Sequence, residues 1–360
     1  MKPRQLALVS AGLQETGGGA AALGRMLARA MARWAEQHGH GFEIFHLGSA
    51  EGVPELPAVP IRHFGGSPAR LALALTKAQA TRPNLRLVFD HPGPARVQGW
   101  LPQWQRRPYL VWLLGVEVWK PLHGDRFRAL ERAQARLAIS EATAWCAAKA
   151  NPLLPGLAVV WLGLGEPSTS SIPSTPSTKS ILTVGRLDPT ERYKGHDELL
   201  EAFPAVLARV PHARLVVVGG GADRGRLEDK ARALGLADHV TFTGYLPAAE
   251  LPKLYAQSTG FALPSRGEGF GLVYLEAMAA GKPVLALTGT AAQEIVLDGE
   301  TGWLVPPKDP AALTAALIAM LADPEEARRR GEAGRRRYEA LFTFEAFEGR
   351  VGVWLGRLVG

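Results

Sequence analysis

The chain has 360 residues, 47% hydrophobic and 21% charged, which suits an ordinary globular protein long enough for two domains. Its single cysteine, Cys146, excludes an internal disulfide framework; within the apolar "EATAWCAAKA" it reads as a packed thiol rather than a nucleophile. Net charge is +7, but residues 1–165 hold 19 Lys and Arg against 10 Asp and Glu and the remainder 22 against 24, so the basic excess lies wholly in the first half.

A basic first half suits an anionic lipid surface or a phosphorylated acceptor, or serves solubility alone. No nucleic-acid motif accompanies it, so nucleic acid is not expected as a partner. The opening "MKPRQLALVSAGLQ" has too short an apolar stretch for a secretory signal, and no run reaches eighteen apolar residues. A cytoplasmic protein is expected, with peripheral contact to the inner face of a membrane as an option for its basic half.

In chain order, "QLALVSA" predicts a strand and the pattern from Ala20 to Gln37 a long helix. Further strands are predicted at "FEIFHL", "LRLVFDH", "YLVWLLG", "RLAIS" and "LAVVWLG". Residues 166–179, rich in Ser, Thr and Pro, read as an extended linker. The alternation then restarts. "SILTVGR", "ARLVVVGGG", "HVTFTGYL", "GFALPS" and "KPVLAL" are strand-like, each with a helical pattern after it. This density of strand–helix alternation predicts an α/β protein of two doubly wound domains, 1–165 and 180–342, with a cleft between them. A last helix, 343–360, is expected to reach back toward the first domain.

The stretch "SRGEGFGLVYLEAMAAGKPV" draws attention because Glu268 and Glu276 stand on either side of a glycine-rich turn. "LVYLEAMAA" is a good helix former, so the amides of Gly269, Phe270, Gly271 and Leu272 head a helix and offer a phosphate site. A bare "GFG" reads first as a tight turn, with Glu268 as a cap. Upstream, "VGRLDPTERYKGHDELL" places Arg186 and Lys194 in the loop after the first strand of the same domain. Two such cations can grip a diphosphate where no Asp-x-Asp pair is present to hold a metal. The glutamates then suit the hydroxyls of a sugar attached to that phosphate.

On these residues the second half resembles the retaining glycosyltransferases of family 4, which have the GT-B fold and a Glu-seven-residues-Glu motif. "ARLVVVGGG", "HVTFTGYL" and "EIVLDGETGWLVPP" match further markers in the same order. The first half matches more loosely, through "ETGGGAAALGRMLARAMA". The resemblance implies two Rossmann-like domains and a nucleotide-diphosphate sugar, UDP- or GDP-linked, as co-substrate, with no metal and no other cofactor. It implies that Arg186 and Lys194 hold the diphosphate and Glu276 the ribose. Glu268, with the Gly269–Leu272 amides, would hold the transferred sugar and its nearest phosphate. Gly244, Tyr245 and Leu246 would line the base pocket, and Gly18 and Gly19 would approach the phosphates from the first domain.

One position departs from the pattern. In "YLVWLLGVEVWKP" Leu114 stands where relatives often carry a His before the Gly, and leucine can neither donate a hydrogen bond nor take a proton. His91, in "FDHPG", is the substitute in view, against a purely structural loop role. Glu117 reads equally as a candidate and as a cap, and His196 as a helix start. "GGGADRGRLE" lacks the Gly-x-Gly-x-x-Gly register, which argues against a nicotinamide enzyme. The expectation is a retaining, metal-independent transferase moving a hexose to a sugar, lipid-linked or small-molecule acceptor in glycoconjugate synthesis. The rivals are a non-catalytic homologue that binds sugar nucleotide, which Leu114 favours, and a GT-B epimerase or phosphorylase.

Overall fold

A computed structural model describes residues 3–14, 18–53, 56, 59–164, 179–247 and 249–360. The stretch expected as a linker, 166–179, lies outside the described residues except for Lys179, as do Glu15–Gly17 of the first-half glycine motif. The chain divides into two compact units, 1–163 with 344–360, and 164–343.

Among the described residues the first unit holds a parallel sheet of β1 (Gln5–Ser10), β2 (Gly41–His46), β3 (Ile61–His63), β4 (Leu85–Phe89), β5 (Tyr109–Leu113), β6 (Ala135–Ala138) and β7 (Ala158–Val159). Their order is β3-β2-β1-β4-β5-β6-β7. The central strands are continuous apolar runs because both faces of the sheet are covered. Helix Gly18–Gln37 buries Leu23, Leu27, Met31 and Trp34 at helical spacing. Helix Phe344–Val359 packs beside it: Phe347 lies 5.8 Å from Trp112, and Arg86 Nε donates to the Leu358 carbonyl at 3.1 Å. The opposite face is closed by Leu71 and Leu75 of helix Pro68–Thr81, by Ala95 and Val97, and by Leu130. The three-residue β3, with its exposed Arg62 and His63, has no apolar run to announce it.

The second unit repeats the plan with β8 (Ser180–Val184), β9 (Arg214–Val218), β10 (Val240–Gly244), β11 (Gly260–Ala262), β12 (Val284–Leu287) and β13 (Gly302–Val305). All pairs are parallel, in the order β10-β9-β8-β11-β12-β13. Leu199, Phe203 and Val206 of helix His196–Arg209, together with Leu317 and Met320 of helix Pro310–Ala322, fill one face. The sequence dictates several helix starts: Asp309 and Asp323 each precede a proline, and each side chain accepts the amide three residues on. The order reverses about the first strand in both units, β1 and β8, so each has a crevice at its strands' carboxyl ends.

Candidate active site

In the second unit, β8 and β11 are neighbours, and the loops that follow them lie side by side. Arg266 N–H donates to the Tyr193 carbonyl at 2.9 Å. Gly195, with φ 86°, packs so closely that a Cβ there would stand 2.5 Å from the Pro264 carbonyl oxygen. That zipper brings Lys194, late in the first loop, to Glu268 in the second, with Nζ 2.9 Å from Oε1. Burial acts to lower the Lys194 pKa. Glu268, and Glu191 at 3.9 Å, more than reverse this and hold the ammonium above its ordinary range. Arg186 pairs with Glu191, leaving most of its own side chain in solvent. The two cations expected to grip a diphosphate thus stand in one loop, each against a carboxylate.

An ion network props that loop from behind. Asp223, after β9, accepts from Arg192 Nη2 at 2.9 Å and Arg226 Nη2 at 2.6 Å, and Arg226 also binds both oxygens of Asp197. Arg226, then Arg192, hold the Asp223 carboxyl down at about 2 against the opposing pull of burial. His196 begins the following helix as a buried imidazole, its pKa lowered to about 4 by burial and then by Lys194. It is neutral, as a helix start beside a cation requires.

Gly271 caps helix Leu272–Ala279 with φ 99°, and a Cβ there would meet the Tyr274 ring at 2.4 Å, so only glycine fits. Phe270 is buried with its ring 6.2 Å from Phe342, which leaves its backbone, not its side chain, to face a ligand. One turn past Leu272, Glu276 Oε2 accepts the Tyr255 hydroxyl at 2.9 Å. Burial lifts its carboxyl to about 7, which the Tyr255 bond only partly offsets. Tyr255 is a partner that "KLYAQS" gave no sign of. At the end of β10, Gly244 turns the chain at φ 74°, Tyr245 keeps 67% of its surface, and Leu246 is half-buried. An exposed ring beside the β9 loop is suited to stacking on a base.

In the first unit, Gly18 and Gly19 open the long helix, Gly18 at φ 69°, with open space where side chains would be. The turn just after β1 is held by Asp90, at the end of β4. Its Oδ2 takes the Ser10 hydroxyl at 2.5 Å and its Oδ1 the Ala11 amide at 2.9 Å. Burial raises that carboxyl to about 7, although both hydrogen bonds pull it down. His91 caps the short helix Pro92–Ala95, its Nδ1 accepting from Gly93 N–H at 2.9 Å. Burial foremost lowers its pKa, so the ring is neutral and carries its proton on Nε2. His91 therefore offers a donor but no base, a narrower role than a general proton-transfer group. Glu117 turns back on the loop after β5, with Oε1 2.6 Å from Leu114 N and 3.1 Å from Gly115 N. Its carboxylate fixes the very turn in which Leu114 sits.

Residues 169–337 match the family described as glycosyl transferases group 1. A GDP-mannose-dependent alpha-(1-6)-phosphatidylinositol monomannoside mannosyltransferase of Mycolicibacterium smegmatis is 44% identical over 162 residues, covering 43% of this chain and 42% of that one. A glycogen synthase of Mycobacterium tuberculosis is 36% identical over 165 residues, 46% of this chain and 39% of that one. The matches thus span less than half the length of these relatives. Over 99% of both chains the fold superposes on a sucrose-phosphate synthase from Thermosynechococcus elongatus, with TM-score 0.78 and 26% identity. HepE of Anabaena, solved with UDP and glucose, shares the fold at TM-score 0.78 and 19% identity, over 99% of this chain and 100% of that one. Residues 169–337 thus carry the match to the group 1 glycosyl transferases, and the chain as a whole has the GT-B fold.

Proposed function

We propose that the protein transfers a hexose from a UDP- or GDP-linked sugar to an acceptor hydroxyl, with retention at the anomeric carbon and without a metal ion. The observation that carries this reading is the pairing of Lys194 with Glu268 beside the helix headed by Gly271. A diphosphate entering there exchanges carboxylate partners for phosphate oxygens at Arg186 and Lys194, and meets the amides of Gly269 to Leu272. Charge developing on the leaving diphosphate is stabilised by groups already in place. Glu268, released from Lys194, accepts from sugar hydroxyls. Glu276, backed by Tyr255, accepts from the ribose, and Tyr245 stacks on the base. The acceptor hydroxyl attacks from the face the diphosphate leaves, and a phosphate oxygen takes its proton. Within the first unit, Gly18 and Gly19 offer open backbone at the head of the long helix, and His91 Nε2–H is the candidate donor in place of the missing histidine at Leu114.

For the acceptor, we favour a lipid-linked one at the cytoplasmic face of a membrane, reached through the basic first unit. Relatives named for phosphatidylinositol monomannoside substrates support it, as does the charge distribution. No helix among the described residues is long and apolar enough to cross a membrane. Leu114 favours one alternative, a homologue that binds donor without transferring it. Incubation with a panel of UDP- and GDP-sugars, scored for nucleoside diphosphate released only when acceptor is present, separates the two. Tight donor binding with no release under any pairing would leave the binding-only alternative.

A further inference from the structure

Residues 56–116 carry eight cationic side chains and a single acid, Asp90, which is buried. Part of that charge gathers on one face. Helix Pro68–Thr81 buries Leu71, Leu75 and Ala78 and turns Arg70, Leu73 and Lys77 outward at spacings of three and four. Leu73 keeps 73% of its surface. The segment 102–107 is pinned along the same helix, Gln105 Nε2 donating to the Thr76 carbonyl at 3.2 Å and Arg107 Nε to the Gln79 carbonyl at 2.9 Å. It carries Trp104, which is 78% exposed, with Trp100 at 59% one short step earlier. The acid that Trp100 touches, Asp125, is neutralised by Arg96 at 2.9 Å. The alternation of cations and large apolar side chains is invisible in the linear sequence because it is assembled from a helix and a distant loop.

We propose that this face, formed by Arg70, Leu73, Lys77, Trp100 and Trp104, docks on an anionic lipid bilayer. Leucine and indole side chains left in water gain by entering the headgroup region, and flanking cations are drawn to acidic headgroups without needing a shaped pocket. The face sets cations beside large exposed apolar side chains, an arrangement that suits a flat anionic surface. The inference sharpens the membrane contact proposed above and rests on it. Its test uses vesicles holding neither donor nor acceptor, so it stands or falls separately from sugar transfer.

The full chain should co-sediment at low salt with vesicles of phosphatidylglycerol and phosphatidylcholine in about equal parts, and not with phosphatidylcholine alone. Each cation beside such a surface accounts for roughly fivefold in partitioning, so R70Q/K77Q should bind about twenty-five-fold more weakly. Trp104→Ala should weaken binding as well. Trp145→Ala, removing an exposed tryptophan that stacks with Lys149 on another helix, should leave binding unchanged. Thermal unfolding of each variant checks that it is folded. No binding by the wild type, equal binding to neutral vesicles, or full binding by R70Q/K77Q would each overturn the proposal. So would a Trp145→Ala loss as large as that of Trp104→Ala. Binding of polyglutamate with vesicles left unbound would overturn it in favour of an acidic protein partner.

Discussion

Replacing Lys194 with Met removes an ammonium 2.9 Å from Glu268 Oε1, where the two side chains keep only 14% and 15% of their surface. Breaking a buried pair from one side typically costs about 3–5 kcal/mol, because a carboxylate stays behind without its counter-ion. The remaining exposure puts this pair at the low end, about 3 kcal/mol. For a domain of this size each kcal/mol moves the thermal midpoint by roughly 2–4 °C, so the Lys194→Met transition should fall by about 6–12 °C. Adding Glu268→Gln takes away the stranded charge, and the double variant should recover most of that loss. Turnover should not recover. Losing one contact to the departing diphosphate costs ~3 kcal/mol, or about a hundredfold in rate, in the single variant, and loss of the Glu268 carboxylate lowers the double variant further. Calorimetry gives the midpoints, and acceptor-dependent release of nucleoside diphosphate gives the rates. A Lys194→Met midpoint within about 2 °C of wild type would mean the pair is not a buried one. Normal turnover in the double variant would remove Lys194 from the diphosphate site.

Glu276, with its carboxyl lifted to about 7, is mostly protonated at pH 6 and mostly ionised at pH 8. If the ionised form binds ribose, nucleotide affinity should rise about tenfold across that range, and Glu276→Gln should flatten the profile. Calorimetric titration reads both, and a flat wild-type profile would contradict the ribose role. Asp90 obeys a different sign: its raised pKa means the folded state keeps a proton that the unfolded state has lost between about pH 4 and pH 7. Stability should therefore decline as pH rises through that window and level off above it, by an amount on the order of a few kcal/mol. Asp90→Asn should remove this part of the slope in urea titrations at pH 5 and pH 8, and an unchanged slope would dismiss the buried acid. His91→Asn retains a side-chain acceptor for the Gly93 amide and loses the Nε2–H. An unaltered thermal midpoint with turnover down about tenfold is expected, and unaltered turnover would leave His91 a cap alone.

Much of the fold was legible because buried parallel strands write themselves as apolar runs; "QLALVS" and "RLVVV" are such runs. Helix Pro324–Leu341 was harder. Its buried stripe of Ala327, Gly331, Gly334 and Tyr338 is small and lies within an Arg-rich segment that reads as solvated. The candidate site residues were visible only as types in loops, cations after a strand and glycines before a helix. Their partners were not. Lys194 and Glu268 are 74 residues apart, and Ser10 and Asp90 are 80 apart. Such pairs depend on which strands become neighbours, and no local pattern states that. Glu276 showed its carboxylate but not the Tyr255 hydroxyl beneath it, because one tyrosine in a helical context has many possible fates.

The chain enters and leaves its second unit at one seam, where Leu164 N–H donates to the Phe342 carbonyl at 2.9 Å. Topologically, the second unit is an insertion: a continuous 180-residue piece, 164–343, set into a first unit built from both ends of the chain. Because its ends meet, that piece has the geometry of a separable module whose termini a short linker would close. The Phe270 ring rests on Phe342, so the seam also anchors the turn that carries the Gly269–Leu272 amides. Altering the joint would be felt there first, at backbone groups that no side-chain substitution can reach.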